Sequence, residues 1–597
     1  MPSTQAPSQG STPVPARAVA KWSGAWSSFI VDLPVARAVV GCVALLHLAI
    51  VWLTRVPGIG WGEDDAQYFQ LARNLVRFGY HEQWDIAAPL HVRYPPLFPA
   101  FLAAVGLPAG WNVDAMLLAV ALCSALAVVV FFDAARRVVG VEMALLASIL
   151  WALNPLMVKT SGWLLSEPLF NLLFVIALWG IAREEEGGRY GVLAGAALSA
   201  AALTRTAGLA MVCGLIVWWL FKRRWRRAAT LAVVAGGTIG VWLVYSFMAP
   251  ESESQRLYSA DLAKIISSAP QAPPRTNGVQ HDGGAAPTTV APAPPPTAQR
   301  LEQRLLRIAT NTLPTVLSFR TVQHTIVDNV AWLVVMVITA SVGAWVMLRR
   351  WPGAALALGA YLALLTVWTW MMDRYFSPVI PLIYLAMLLG ASSLLARLLP
   401  RWRTAGVLAL VVLLMLGEIP TLGALTVERS RCDRDQVTTS PGCYPPDERA
   451  YLQAAQWVRD STPPGAVFMA SKEAAFFTHA GRRTVNQIAA LREDSATIIA
   501  YLRRVGVTHV VVGPVGVRSL RHGRLMARVC DDLILLRAFP REYAVLRVRE
   551  PGEARDGGEA CDALRSWRDR VAPADPPRRR VRSYFERKPP AATSVAP

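Results

Sequence analysis

Long uncharged runs of apolar residues, broken by short polar turns, fill most of the chain between residues 36 and 422. A run of about 18 such residues, wound as a helix, crosses a hydrocarbon core of roughly 30 Å. The runs at 36–54, 113–135, 144–158, 163–182, 190–203, 207–221, 228–248, 326–348, 352–371, 375–396 and 404–422 therefore predict about eleven spans. Two stretches differ. In 65–78 the residues Tyr68, Leu71, Ala72, Leu75 and Val76 recur at helical spacing, which predicts an amphipathic helix lying on the bilayer surface. Residues 94–107 are apolar but short and open on Tyr94-Pro95-Pro96; they predict a second interfacial helix with the prolines in its first turn. Beyond about residue 427 the pattern becomes mixed. Residues 448–459 and 495–504 read as helices, and 466–470, 508–512, 533–538 and 543–548 as short strands.

The fold class expected is a polytopic α-helical membrane protein with a small C-terminal α/β domain outside the cytoplasm. Its parts are a disordered tail (1–34), a transmembrane domain (35–426), the α/β domain (427–551) and a polar basic tail (552–597). Within the transmembrane domain, 55–112 is the first outer loop and 249–325 a second, of which 271–296, rich in Pro, Ala, Gly and Thr, is expected to be disordered. Residues 300–309 are expected to be a short helix. The N-terminal stretch has no apolar core of its own, so it reads as a tail and not a cleaved signal.

A mean hydropathy of +0.35 and 54% apolar residues fit this class. The net charge of +19 does not indicate nucleic acid, because the basic residues cluster in turns between spans: Arg136-Arg137, Lys222 to Arg227, Arg349-Arg350 and Arg397 to Arg403. Cytoplasmic loops carry such an excess. If 94–107 does not cross, all four clusters fall on the same side as Arg17, Lys21 and Arg37; if it crosses, the bias is lost. The non-crossing topology leaves residues 63–93, Glu167, Arg205, the 249–325 loop, Arg374 and the C-terminal region on the outer face. Cys432, Cys443, Cys530 and Cys561 all fall there, an even number in an oxidising compartment. Of three possible connectivities, Cys432–Cys443 with Cys530–Cys561 is the expected one. Cys42, Cys123 and Cys213 lie in spans.

No predicted span but the first carries an ionisable residue near its middle, and that one is His47. Ion-coupled transporters place such groups at mid-depth; here the polar residues gather at one surface. Asp64 and Asp65 open the amphipathic helix just beyond the first span. A carboxylate there can act as general base on an acceptor hydroxyl, and Arg93, Arg205 and Arg374 at the same face match phosphate oxygens bidentately. Together they suit a lipid-phosphate sugar transferase. Each has a plainer reading. Asp64 could cap its helix, Arg205 and Arg374 could be snorkelling span ends, and Glu167 could cap the helix that follows it. His81, Glu82, Asp85 and His91 lack a standard metal-ligand spacing.

Asp64-Asp65-Ala66-Gln67-Tyr68, with Leu71-Ala72-Arg73-Asn74-Leu75, resembles the first-loop motif of GT-C membrane glycosyltransferases. The nearest groups are the protein O-mannosyltransferases and the lipid A aminoarabinose transferases. Arg93-Tyr94-Pro95-Pro96-Leu97-Phe98-Pro99, Ser166-Glu167-Pro168-Leu169-Phe170, Leu203-Thr204-Arg205 with Gly208-Leu209, and Asp373-Arg374-Tyr375 with Pro378 and Pro381 follow in the family's order. The resemblance covers roughly 35–399. It implies an inverting transferase with a polyprenyl-phosphate sugar donor, Asp64 as base and two juxtamembrane helices after the first span. Asp65 stands where many relatives have Glu, and Arg93-Tyr94 replaces a lysine that some relatives place before the prolines.

The functional expectation is transfer of a sugar from a polyprenyl-phosphate donor to a protein, lipid or glycan acceptor at the outer face of a bacterial inner membrane. Asp64 is the base and Asp65 supports the acceptor. Arg93, Arg205 and Arg374 hold the donor phosphate, and Tyr94, Glu167 and Tyr375 are further site candidates. No cofactor is required; a divalent metal is left open, with no ligand spacing to support one, and the partners are the lipid donor, the membrane and the acceptor, with no nucleic acid. The alternative is a polytopic transporter or flippase.

Overall fold

The computed structural model describes residues 32–571 apart from 57, 61, 187–189, 250–301, 303, 318–329, 369–371, 438–439, 441, 491–492, 517–518 and 555–557. The expectations for the N-terminal tail, for 271–296 and for the end of the chain lie outside them.

Each predicted span coincides with a helix or a bent pair of helices. In chain order these are α1 (Leu33–Thr54), the first of the membrane body, then, after two helices of the first outer loop, α2 (Asp64–Arg77) and α3 (Leu97–Gly106), the series α4 (Val113–Val139), α5 (Val141–Leu153) with α6 (Pro155–Ser161), α7 (Glu167–Glu185), α8 (Gly191–Thr204), α9 (Gly208–Phe221), α10 (Trp225–Met248), α11 (Val330–Arg350), α12 (Pro352–Val367), α13 (Ile380–Leu398) and α14 (Arg403–Ser430). By length and composition six helices among the described residues can cross a membrane unaided, or seven with the α5–α6 pair counted as one. Helices α8, α9 and α12 are shorter apolar segments, and α3, with 10 residues, reaches only about 15 Å. That length fits the non-crossing reading. The prolines Pro95 and Pro96 precede α3 instead of lying in its first turn.

Packing explains the breaks. Asn154 ends α5, and its Oδ1 accepts from the Leu156 and Met157 amides at 3.0 and 3.2 Å, starting α6 at Pro155 with a bend of 57°. Buried His47 donates from Nδ1 to the Ala152 carbonyl at 2.6 Å and meets Ser124 Oγ at 2.8 Å, tying α1 to α4 and α5. Helices α11 and α13 cross so closely that a Cβ on Gly343 would fall on the Ala386 carbonyl, and one on Gly390 on that of Thr339. Small residues permit such approach in lipid, where dispersion packing and not the hydrophobic effect joins helices. Large apolar side chains on the outside, such as Val233, Val241 and Phe247 of α10, are exposed as lipid contact requires.

One expectation fails. The last span runs on to Ser430, which places Glu418 well inside it and fully buried. Tyr384 hydrogen-bonds Glu418, and Asn154 Nδ2 reaches Tyr384 Oη at 2.9 Å and Glu418 Oε1 at 3.4 Å. A second buried ionisable side chain therefore sits within the bundle.

The C-terminal α/β layer, expected on the outer side, holds a five-stranded sheet in the order β2-β1-β3-β5-β4. Its strands are β1 (Phe468–Ala470), β2 (Thr484–Asn486), β3 (His509–Val512), β4 (Leu533–Phe539) and β5 (Tyr543–Val548). β2, β1 and β3 are parallel, while β5 is antiparallel to both β3 and β4. Alternate residues face opposite sides: Met469, Val510 and Leu546 enter one core, Phe468, Val511 and Val545 the other. Disulfides join Cys432 to Cys443 and Cys530 to Cys561. Further helices are α15 (Pro446–Ser461) and α16 (Glu473–Ala480), and residues 304–316 are helical, near the expected 300–309. The layer is docked on the first outer loop. His479 Nε2 and Tyr444 Oη both donate to the Ile59 carbonyl, at 2.8 and 3.2 Å, and Gln70 Nε2 donates to Thr478 Oγ1 at 2.9 Å.

Candidate active site

Helix α2 begins at Asp64 with both aspartates in its first turn, where the helix dipole favours negative charge. Neither caps it: the residue before, Glu63, has helical backbone angles, and no side-chain cap bond forms. The Asp64 carboxylate turns outward to three residues on two other segments. Tyr94 Oη donates to its Oδ1 at 2.6 Å, Arg374 pairs with its Oδ2, and the Arg93 charge acts on it. Burial alone would raise its proton affinity, but the two guanidiniums and the Tyr94 bond prevail and hold the carboxyl well below the usual range. Burial pushes the Tyr94 phenol well above its ordinary value, so it stays a donor.

Arg374 lies in the short turn Asp373–Phe376 before α13, and its Nε is 3.6 Å from Glu167 Oε1. Glu167, 1% exposed at the start of α7, also pairs with Arg205 Nη1 at 2.7 Å. Arg205 follows α8 and donates to Ser166 Oγ at 3.0 Å, and that hydroxyl meets Tyr68 Oη, one helical turn beyond Asp64, at 3.1 Å. The Tyr375 ring lies 5.3 Å from the Arg205 guanidinium and 5.7 Å from that of Arg374. Its carbonyl accepts from Tyr361 Oη at 2.9 Å. Arg93 is exposed, 5.0 Å over the Tyr94 ring.

Asp64, Arg93, Tyr94, Glu167, Arg205, Arg374 and Tyr375, drawn from the first loop and the starts or ends of α7, α8 and α13, thus meet at one end of the bundle. The charges are three guanidiniums against two carboxylates, an excess of one positive charge. Glu167 and the two arginines are too entangled to be lone snorkelling or capping groups. Fixed donors around such a centre suit a phosphate.

Asp65 is not among them. It is 3% exposed and points the other way: its Oδ2 accepts from the Gly60 amide and its Oδ1 from that of Ala66, both at 2.9 Å. Successive helical residues diverge by about 100°, so the pair cannot face one substrate. Burial outweighs these amides and the Lys472 charge and raises the Asp65 carboxyl to about 6. Both its oxygens are engaged by backbone amides, and with them Asp65 secures the loop before the helix. The loop histidines form no metal cluster either. His81 Nδ1 donates to the Ala88 carbonyl at 3.0 Å, Asp85 accepts from the Ala87 amide at 2.8 Å, and His91 pairs with Glu82 at 2.8 Å. Among the described residues the one set close enough for a metal is Cys530, Asp531 and Cys561, whose sulfurs are already joined. Ser166, Tyr68 and Tyr361 were not singled out from sequence, although the first two stand inside the motifs quoted above.

The sequence profile of the dolichyl-phosphate-mannose-protein mannosyltransferase family matches residues 93–249, a stretch that contains Arg93, Tyr94, Glu167 and Arg205. No curated protein matches the chain in sequence. Among solved structures the chain is similar to ArnT from Cupriavidus metallidurans bound to undecaprenyl phosphate, with 14% identity and a TM-score of 0.51, over 85% of this chain and 98% of that one. It is also similar to the oligosaccharyltransferase of Archaeoglobus fulgidus tethered to an acceptor peptide, with 14% identity and a TM-score of 0.50, over 82% of this chain and 70% of that one. At such identities the likeness establishes a shared fold, a multi-pass membrane bundle carrying a small C-terminal sheet domain.

Proposed function

We propose that the chain is an inverting glycosyltransferase that takes its sugar from a polyprenyl-phosphate donor at the outer face of a bacterial inner membrane. The observation that carries this reading is the pairing of Asp64 with Arg374 beside Glu167 and Arg205, a base and a phosphate clamp on one spot. The family profile and the two fold relatives support the same class. The acceptor hydroxyl oxygen attacks the anomeric carbon from the face opposite the phosphate, and Asp64 takes its proton. The bond from that carbon to the phosphate oxygen breaks, and polyprenyl phosphate leaves with the electron pair, held by Arg374 and Arg205 with Arg93 at the rim. No step needs a metal.

The Asp64–Arg374 pair adds an order to these events. A carboxylate held by a guanidinium is a poor base, and its proton affinity rises when the partner leaves. A donor phosphate competes for Arg374, and its arrival frees Asp64. The base thus becomes competent when the donor is seated, which suppresses idle chemistry.

Both disulfides lie on the side of this site, and the basic turns at the other helix ends, which supports an extracytoplasmic active face. The transporter or flippase reading draws on one observation, the buried Glu418 beside the broken α5–α6 pair, since transporters use such features. The two part on a simple experiment. Mass spectrometry of envelope glycoconjugates from cells with and without the protein should show one missing sugar without it. An unchanged set of glycoconjugates, with a lipid-linked sugar retained on the cytoplasmic side, would favour transport.

A further inference from the structure

Beside the two arginines, the Tyr94 phenol lowers the proton affinity of Asp64 by its hydrogen bond, and its own backbone is clamped on both sides. Its amide donates to His91 Nε2 at 3.0 Å, and its carbonyl accepts from Tyr80 Oη at 2.9 Å. The amide can only donate, so Nε2 must offer its lone pair and the ring proton must sit on Nδ1. That proton is received by Glu82 Oε1 at 2.8 Å. Glu82 and His91 are 6% and 1% exposed. A buried carboxylate fixing a histidine tautomer, so that the far nitrogen performs a task, is a recurrent way of orienting a functional group.

The segment carrying Glu82 is in turn fastened to the outer domain. Thr484 of β2 donates from its amide and its hydroxyl to the Trp84 carbonyl, at 2.7 and 2.9 Å, and accepts from the Ile86 amide at 3.0 Å. His91 is boxed by the Tyr80 and Trp84 rings, with centroids at 5.4 and 6.3 Å. We propose that Glu82 and His91 are positioning residues for the base: they fix Tyr94, whose phenol aims the Asp64 carboxylate, and they hold their own place through the Trp84–Thr484 junction with the outer domain. The inference rests on Asp64 as base, and it assigns the outer domain a part in the site that it does not touch directly.

The experiment uses the full chain in detergent with two readouts. One is turnover of His91→Leu, His91→Gln, Tyr94→Phe and the Leu/Phe double variant, on whichever undecaprenyl-phosphate sugar the wild type consumes. His91→Leu removes the acceptor for the Tyr94 amide, and kcat should fall about tenfold with the donor KM within about twofold. His91→Gln, which can offer an oxygen to Tyr94 and an amide to Glu82, should recover to within about threefold. The double variant should be no slower than Tyr94→Phe alone. Losses that multiply would show that His91 acts on something else and overturn the proposal. The second readout needs no turnover. Pro95 and Pro96 lack amides, so deuterium uptake in a peptide spanning them reports mainly on Tyr94. Its protection should be lost in His91→Leu and kept in His91→Gln; unchanged protection in the former overturns the proposal. Should His91→Leu fail to fold, Glu82→Gln is measured against Tyr94→Phe in the same way. If no sugar donor turns over in the wild type, the transferase reading falls while deuterium uptake still decides the role of His91.

Discussion

Replacing Asp64 with Asn should tighten the binding of undecaprenyl phosphate, although it removes a residue from the site. Arg374 spends its charge on Asp64 when no donor is present, with 13% and 17% of the two side chains exposed. Binding a phosphate exchanges that partner for another. Asn keeps a hydrogen bond to the ionised Arg374 but loses the charge–charge attraction, which contributes from under about 1 kcal/mol in an exposed pair to several in a buried one. At this intermediate exposure Asn holds Arg374 less tightly by about 1–1.5 kcal/mol. At 1.4 kcal/mol per decade, this corresponds to a roughly five- to tenfold lower Kd. Removing a negative charge beside the incoming phosphate acts in the same direction. The assay is a titration of undecaprenyl phosphate into purified protein in detergent, read by tryptophan fluorescence or calorimetry. Arg374→Ala is the control and should weaken binding about tenfold or more, because it deletes a charge-assisted contact. An Asp64→Asn variant that binds the lipid equally or more weakly would refute the competition between Asp64 and phosphate, and with it the masked base.

Three further outcomes follow from particular contacts. The Asp65 carboxyl, raised by burial from 3.8 to about 6, favours its protonated form in the fold, so stability falls as pH rises from about 4 to about 6. Asp65→Asn leaves one of the two amides without an acceptor, a pH-independent cost of about 1–3 kcal/mol. It also removes the titration, so its effect on stability should become more favourable by up to about 3 kcal/mol between pH 4 and pH 7.5, read as thermal unfolding; a pH-independent effect would contradict this sign. Reduction of Cys530–Cys561, which closes a loop over a separation of 31 residues, should destabilise the outer domain by about 3–4 kcal/mol, seen as faster limited proteolysis beyond residue 427. Gly390→Ala should disrupt the α11–α13 crossing and lower the yield of monodisperse protein, because its Cβ would meet the Thr339 carbonyl; normal yield would show that the helices can part cheaply.

What the sequence disclosed and what it hid divide along physical lines. Hydropathy placed every span, because lipid demands continuous apolar helix. The β-branched and apolar runs around Met469, Val510, Leu533 and Val545 announced four of the five strands. β2, three residues between Arg483 and Gln487, gave no run long enough to read, and α16, with eight residues, was too short for a helical period to stand out. The site residues Asp64, Glu167, Arg205 and Arg374 were legible because they place mixed charge on the face opposite the basic clusters, inside motifs that follow in a family's order. Their partners were not: which of two adjacent aspartates faces the bundle depends on helix rotation, and that is set by Tyr68 and Phe98 packing at 4.8 Å. Glu418 escaped because apolar patterning ended the last span at 422, while the helix continues to Ser430 through polar residues that pack against the outer domain. The Glu82–His91 pair lay in plain view without a role. Its spacing fits no standard metal site, and only the fold shows the ring nitrogens committed to Glu82 and Tyr94.

The most direct measurement is turnover by purified wild-type and Asp64→Asn protein against a panel of undecaprenyl-phosphate sugars with envelope extract as acceptor. Released undecaprenyl phosphate and the anomeric configuration of the product would be read by mass spectrometry and NMR. The account predicts release from at least one donor with inversion at the anomeric carbon, and loss of that release by at least about a hundredfold in the folded variant. Retention of configuration, or equal release by the variant, would contradict it.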